Sequence, residues 1–156
     1  MSFRVFISHS VSPAELGIVY AIAEEAARRG MQPYIPDRNW DAQQQLPERI
    51  ASALQDADVF VAVATQFGTQ LPWVNSEITG AAAKTIPVIA IFDPALSQQD
   101  AALEPGRVTI RRENLPGTLA EALRKIEDAR LQQTQKSALT WLVIGGLLFL
   151  ATQENK

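Results

Sequence analysis

One stretch of the chain, residues 71–84, LPWVNSEITGAAAK, sets a single carboxylate, Glu77, among small and apolar residues. Pro72 marks the entry of a helix, where the missing N–H would have had no acceptor anyway. Residues three and four apart share a helix face, so Trp73, Glu77 and Gly80 form one stripe, and Val74, Ile78, Ala81 and Ala82 form the buried one. That spacing points Glu77 away from the core, with an indole beside it and open space at the glycine, as in a ligand pocket built around one carboxylate. The nearby helix N-terminus is expected to keep the carboxylate ionised at neutral pH. The same spacing also fits a plainer role, in which Glu77 complements the helix dipole at the surface and Trp73 covers core. It is not a capping-box glutamate, because Val74 and not Ser or Thr stands three residues before it.

The elements that must hold this helix are legible as alternating apolar runs and amphipathic segments up to about residue 130, the pattern of an α/β domain with a mostly parallel sheet. RVFIS, DVFVAVA and PVIAIF are nearly continuous apolar runs, as expected of central strands covered on both faces, and QPYI and RVTI read as edge strands. A first helix is marked by Ser12 as N-cap, Pro13, Glu15 closing a capping box, and Gly30 beyond Arg28 and Arg29, with Leu16, Val19, Ala23 and Ala26 facing the core. Further helices are expected from Leu46 to Gln55, in the opening stretch, and over GTLAEALRKIEDARLQQ, where Leu119, Leu123 and Ile126 share a face.

Parallel sheets bind ligands at the carboxyl ends of their strands. The rim there comprises Ser8, His9 and Ser10 after the first strand, Pro36, Asp37, Arg38, Asn39 and Trp40 after the second, and Thr65, Gln66 and Phe67 after the third. No strand is followed by a glycine-rich dinucleotide fingerprint or a GxxxxGK[ST] loop, which disfavours Rossmann dehydrogenases and P-loop nucleotidases. The chain has no cysteine and one histidine, so thiolate chemistry and Cys- or His-rich metal sites are excluded. A net charge of -3 provides no basic field for nucleic acid. Ser8 and Ser10 also suit turn caps, His9 a solvated rim position, and Phe6 plain core. Trp40 is harder to place as filler, since a large aromatic in the polar loop PDRNWDAQQQ must cover something.

Beyond the domain, expected over 1–130, residues 131–136 form a linker or helix extension, 137–153 an uncharged apolar run, and 154–156 a short tail. The run SALTWLVIGGLLFLATQ is at the short end of the roughly 17 to 25 residues that span a bilayer. Trp141 at its edge and Arg124, Lys125, Arg130 and Lys136 before it predict a single-pass C-terminal anchor with the domain in the cytoplasm. The alternative is an apolar helix buried against a partner protein. The N-terminus lacks a basic segment followed by an apolar one, so no cleaved signal peptide is expected.

RVFISHS, RRGMQPYIPD, IASALQDADVFVAVAT and above all WVNSEITGA, in this order, resemble a Toll/interleukin-1 receptor (TIR) domain of the bacterial type. The resemblance covers nearly the whole domain and implies a flavodoxin-like three-layer fold with a five-stranded parallel sheet. In the enzymatic branch it implies cleavage of NAD, as substrate and not cofactor, at the bond between nicotinamide and ribose. Glu77 then matches the family's catalytic glutamate, Phe6, Ser8, His9, Trp40 and Trp73 become substrate-binding candidates, and the loop carrying Trp40 matches one used for closure and assembly. One ionised carboxylate suits this reaction, because a neutral nicotinamide leaves and an oxocarbenium-like sugar remains. Aromatic faces attract a pyridinium cation. The adjacent Phe-Trp of animal receptors is missing, which fits a prokaryotic protein in antiphage or stress signalling that self-associates on a membrane through its TIR domains. The resemblance leaves open a non-enzymatic TIR scaffold and, with a poorer match, a nucleoside deoxyribosyltransferase-like enzyme.

Overall fold

The computed structural model describes residues 2–42, 45–96 and 106–144. Strands β1 (Arg4–Ser10), β2 (Gln32–Tyr34), β3 (Val59–Ala64), β4 (Val88–Phe92) and β5 (Arg107–Thr109) form one sheet in the order β2-β1-β3-β4-β5, with every pairing parallel. Helices α1 (Leu16–Arg28), α2 (Glu48–Gln55), α3 (Leu71–Ala83) and α4 (Leu115–Ile144) supply the crossovers and the final cover. The expected five-stranded parallel α/β sheet is therefore present, with its strands where the apolar runs placed them.

Strand alternation divides the core in two. Val5, Ile7, Val61, Val63 and Ile91 pack under α1 and α4, whereas Phe6, Phe60, Ala62 and Ala90 pack under α2 and α3. All six residues of β3 are buried, which is why its sequence reads as an unbroken apolar run. Each fully buried Val, Ile or Phe contributes roughly 1.5–3 kcal/mol. On α1 the buried residues are Val19, Ile22 and Ala26, while Leu16 and Ala23 are only partly covered, so the expected stripe is rotated slightly toward Ile22. Gly30 ends the helix at φ +82°, a backbone conformation that a side chain would strain.

The apolar face of α4 packs through Leu115, Leu119, Ala122, Leu123 and Ile126. Its far end is tied down where Arg130 donates to the Arg29 carbonyl at 3.0 Å and Gln133 donates to Asp58 at 2.7 Å. Arg29 and Asp58 precede β2 and β3, so α4 leaves the domain at the amino-terminal edge of the sheet. Residues 131–136 are helical and continuous with it. The apolar run begins on this helix, but 145–153 and the tail lie outside the described residues. Among the described residues, no helix is long and apolar enough to cross a membrane.

At the opposite edge a charged clamp joins four strand ends. Arg112 forks onto Asp93, with Nη2 2.9 Å from Oδ2, and also donates to Glu15 at 2.7 Å; Thr65 donates to Glu15 at 2.7 Å. Burial alone would raise the Glu15 pKa, but hydrogen bonds from Arg112, Thr65 and Ser12 outweigh it and hold the carboxyl at about 2. A depressed carboxyl stabilises the fold above its unfolded value, near 4.5, and loses that contribution as pH falls toward 2. Arg112→Gln is therefore expected to lower stability by about 1 to 2 kcal/mol near neutrality, partial exposure of the arginine limiting the effect. Urea denaturation across pH should show this gap closing as the buffer is acidified through the carboxylate range.

Candidate functional site

Glu77 lies in the middle of α3, and its side chain has no exposure to solvent. This corrects the expectation that it points outward. The helix lies so that Val74, Glu77 and Ala81 face the sheet, and the carboxylate meets Ser8 on β1, whose hydroxyl donates to Oε1 at 2.7 Å. Gly80 does not open space beside it, because a Cβ there would stand 3.1 Å from Leu46 and 3.2 Å from Leu54, and Gly80 thus admits α2. Ala82, assigned to the buried stripe, is exposed.

The carboxylate's second partner is Arg38, from the segment after β2. Its Nη1 donates to Glu77 Oε2 at 3.2 Å, its Nη2 stands 3.2 Å from Oε1, and Nη2 also reaches the Ser8 hydroxyl at 3.4 Å and the His9 carbonyl at 3.2 Å. Burial raises the Glu77 pKa against the opposing pull of Arg38 and the Ser8 hydrogen bond, and burial lowers that of Arg38 against the pull of Glu77. Both shifts run toward neutrality, so for this pair desolvation outweighs mutual attraction. The helix dipole does not set the ionisation of Glu77, which sits beyond the first turn where that field acts.

Around this pair, the loop from β2 is fastened to α3 through its own backbone. The Trp73 indole N–H donates to the Trp40 carbonyl at 2.7 Å, and the Ser76 hydroxyl donates to the Ala42 carbonyl at 3.1 Å. Arg49, at the start of α2, forks onto Asp37 at 2.7 and 3.0 Å. Trp40 and Trp73 are both partly exposed, so each keeps an aromatic surface at the rim.

Of the residues expected from the sequence, Ser8 meets Glu77 directly, and Trp73 meets the Trp40 backbone in the loop that carries Arg38. Phe6 is adjacent but sits in the core, stacked on Phe60 at 5.3 Å between ring centroids and 1% exposed, so it supports the site from beneath and forms no open wall. His9 follows Ser8 in β1, and strand alternation sends its side chain to the other face of the sheet, leaving only its carbonyl toward Arg38. Its imidazole pKa is lowered by burial and by the Arg38 charge, which favours the neutral ring. Ser10 ends β1 and accepts from the Gln70 N–H at the entry of α3 at 2.9 Å, while Gly68 passes so close that a Cβ would lie 2.1 Å from the Ser10 carbonyl oxygen. Arg38 was visible on the rim but unassigned; it is the lone arginine or lysine among those rim residues, and a buried carboxylate calls for such a partner. Among the described residues, no cluster of His, Cys, Asp or Glu is disposed to hold a metal.

The TIR domain family model matches residues 5–126, which takes in the five strands, helices α1 to α3, the first part of α4 and the Ser8–Arg38–Glu77 cluster. The chain belongs to the TIR domain family. The same fold is seen in the crystal structure of the RPS4 and RRS1 TIR domain heterodimer, with a TM-score of 0.60 at 14% identity, covering 81% of this chain and 97% of that one. A weaker likeness, TM-score 0.46 at 14% identity over 90% of this chain and 79% of the other, is to the TIR domains of the activated Roq1 resistosome recognising the effector XopQ. None of the curated proteins compared matches the chain. Within this TIR domain, Trp73 is one of two side chains of α3 that fasten the loop to the helix. Trp73→Phe removes the indole donor and should release the loop, with a stability loss of about 1 kcal/mol. Hydrogen–deuterium exchange is expected to quicken over residues 35–42 and to stay unchanged in β3.

Proposed function

We propose that this TIR domain cleaves NAD at the bond between nicotinamide and ribose, with Glu77 as the catalytic carboxylate. The observation that carries the reading is a carboxylate wholly buried at the carboxyl edge of the sheet, fixed by Ser8 and met by a cation, with two tryptophans at the rim. Pre-positioned negative charge in a site shielded from water stabilises a developing cation far better than the same charge in solvent. As the glycosidic bond breaks, its electron pair leaves with nicotinamide, which becomes neutral, and the ribose carbon becomes oxocarbenium-like beside Glu77. Water, or the adenine of the same substrate, then attacks that carbon and releases a proton to solvent. Ser8 keeps the carboxylate oriented, and Trp40 and Trp73 supply faces for the pyridinium.

Self-association belongs to the same proposal: the structural neighbour is a TIR–TIR heterodimer, and raising local concentration favours weak contacts between domains. The charge-free run 137–153 supports a membrane anchor and, with the motif pattern, a bacterial-type protein of antiphage signalling. Because α4 leaves from the amino-terminal edge of the sheet, the Glu77 edge would face away from that membrane. A second reading, a TIR scaffold without activity, is favoured by one observation: Glu77 is already paired within the chain, as a structural charge would be.

The purified full-length protein, concentrated on vesicles, should consume NAD, and Glu77→Gln should reduce the rate by about a hundredfold or more with circular dichroism unchanged. Turnover equal in both proteins would remove Glu77 from the reaction, and turnover in neither would favour the scaffold. In cell fractionation the full chain should sediment with membranes and residues 1–136 should not.

A further inference from the structure

Among the described residues, two arginine–carboxylate clusters stand at one edge of the sheet, the Arg38–Glu77 pair buried and the Arg112 cluster partly exposed, and they are built differently. Arg112 is clamped: Nη2 lies 2.7 Å from Glu15 and 2.9 Å from Asp93, Nη1 closes the fork on Asp93, and the guanidinium lies 5.5 Å from the centroid of the Phe67 ring. Those are the lengths of tight charge-assisted hydrogen bonds, roughly 2.7–2.9 Å. Arg38 is held loosely, at 3.2, 3.2 and 3.4 Å from Glu77, the His9 carbonyl and Ser8, and its Nε has no hydrogen-bond partner among the described residues. It also comes from a segment without regular structure, between β2 and α2, whereas Glu77 and Ser8 stand on α3 and β1. Arg38 is the member nearer solvent, with 8% of its side chain exposed against none of Glu77. A ligand that takes the place of this counter-ion on the carboxylate must displace the guanidinium.

Removing one partner of a buried ion pair without replacement strands a charge and is strongly unfavourable, whereas exchanging it for another cation leaves the balance nearly unchanged. We infer that Arg38 is an internal cation that competes with ligand for Glu77, so that only a ligand bringing its own positive charge can occupy this carboxylate. This rests on the proposed role of Glu77 as the ligand-facing carboxylate and deepens it by naming a specificity-determining residue. A planar pyridinium can replace a planar guanidinium. The neutral ring of a reduced nicotinamide cannot, because Glu77 would then be buried without a counter-charge. The latches on either side of Arg38 set how readily it withdraws: Arg49 on Asp37, Trp73 on the Trp40 carbonyl and Ser76 on the Ala42 carbonyl.

The test titrates full-length protein with two probes, the ring-N-methylated nicotinamide cation and neutral nicotinamide, followed by quenching of tryptophan fluorescence. Arg38→Gln should bind the cation tighter by about tenfold or more, the factor expected if the closed form outweighs the open one by about ten to one, with affinity for the neutral probe unchanged. Adding Glu77→Gln to that variant should abolish the gain. Equal improvement for both probes would make Arg38 a steric lid, and no improvement would leave it a structural residue; either result overturns the inference. If Arg38→Gln does not fold, the exposed Arg49→Gln decides: a selective gain of about two- to threefold for the cation supports competition, and no gain overturns it. NAD cleavage is read separately on the same proteins. Tighter cation binding without cleavage would overturn the enzymatic reading and leave the competition standing, and cleavage with unchanged cation binding would do the reverse.

Discussion

Glu77 sits beneath α3 without contact to solvent, and a carboxylate is tolerated there only when donors and a counter-charge meet it. Much of the local architecture can be understood as meeting that demand. Ser8 occupies a position near the carboxyl end of β1 whose side chain points at α3, and a hydroxyl there replaces the apolar residue that the core would otherwise prefer. The segment after β2 turns back over the sheet edge so that Arg38 reaches inward, and its backbone carbonyls are tied to α3 by Trp73 and Ser76. The helix, the central strand and the loop are thus joined by one buried charge.

The Arg112 clamp does different work at the same edge. It ties the ends of β3 and β4 to the starts of α1 and α4 through tight bonds to Asp93 and Glu15, so that the rim is rigid on one side. On the other side the Glu77 pair is long-bonded and carried partly by a loop. The final helix extends this polarity to the whole molecule, since it starts beside the clamp and departs from the amino-terminal edge of the strands.

The strands were legible because a parallel sheet covered on both faces demands consecutive apolar residues, and β1, β3 and β4 meet that demand with Val, Ile, Phe and Ala. Glu77, Ser8, Trp40 and Trp73 were legible as candidates because each departs from its surroundings: a charge in an apolar helix, a hydroxyl at the end of a strand, indoles at a polar rim. The orientation of Glu77 was not. Helical spacing groups residues into stripes but does not say which stripe faces the sheet, and with alanine and glycine on several sides of α3, the charge alone sent Glu77 to the outward stripe. The direction of the His9 side chain was not legible for a simpler reason. β1 runs on to Ser10, so residues read as rim obey strand alternation instead.

By itself, then, the sequence determined the class of fold and the order of its elements, and it marked Glu77 as a candidate carboxylate, since each follows from local periodicity and residue type. Only the tertiary structure decided that this carboxylate is buried, that Ser8 holds it and that Arg38 is its counter-ion. Those facts depend on contacts between residues separated by 69 and 39 positions in the chain. A charge's environment is set by what packs against it from elsewhere, and local periodicity carries no record of that.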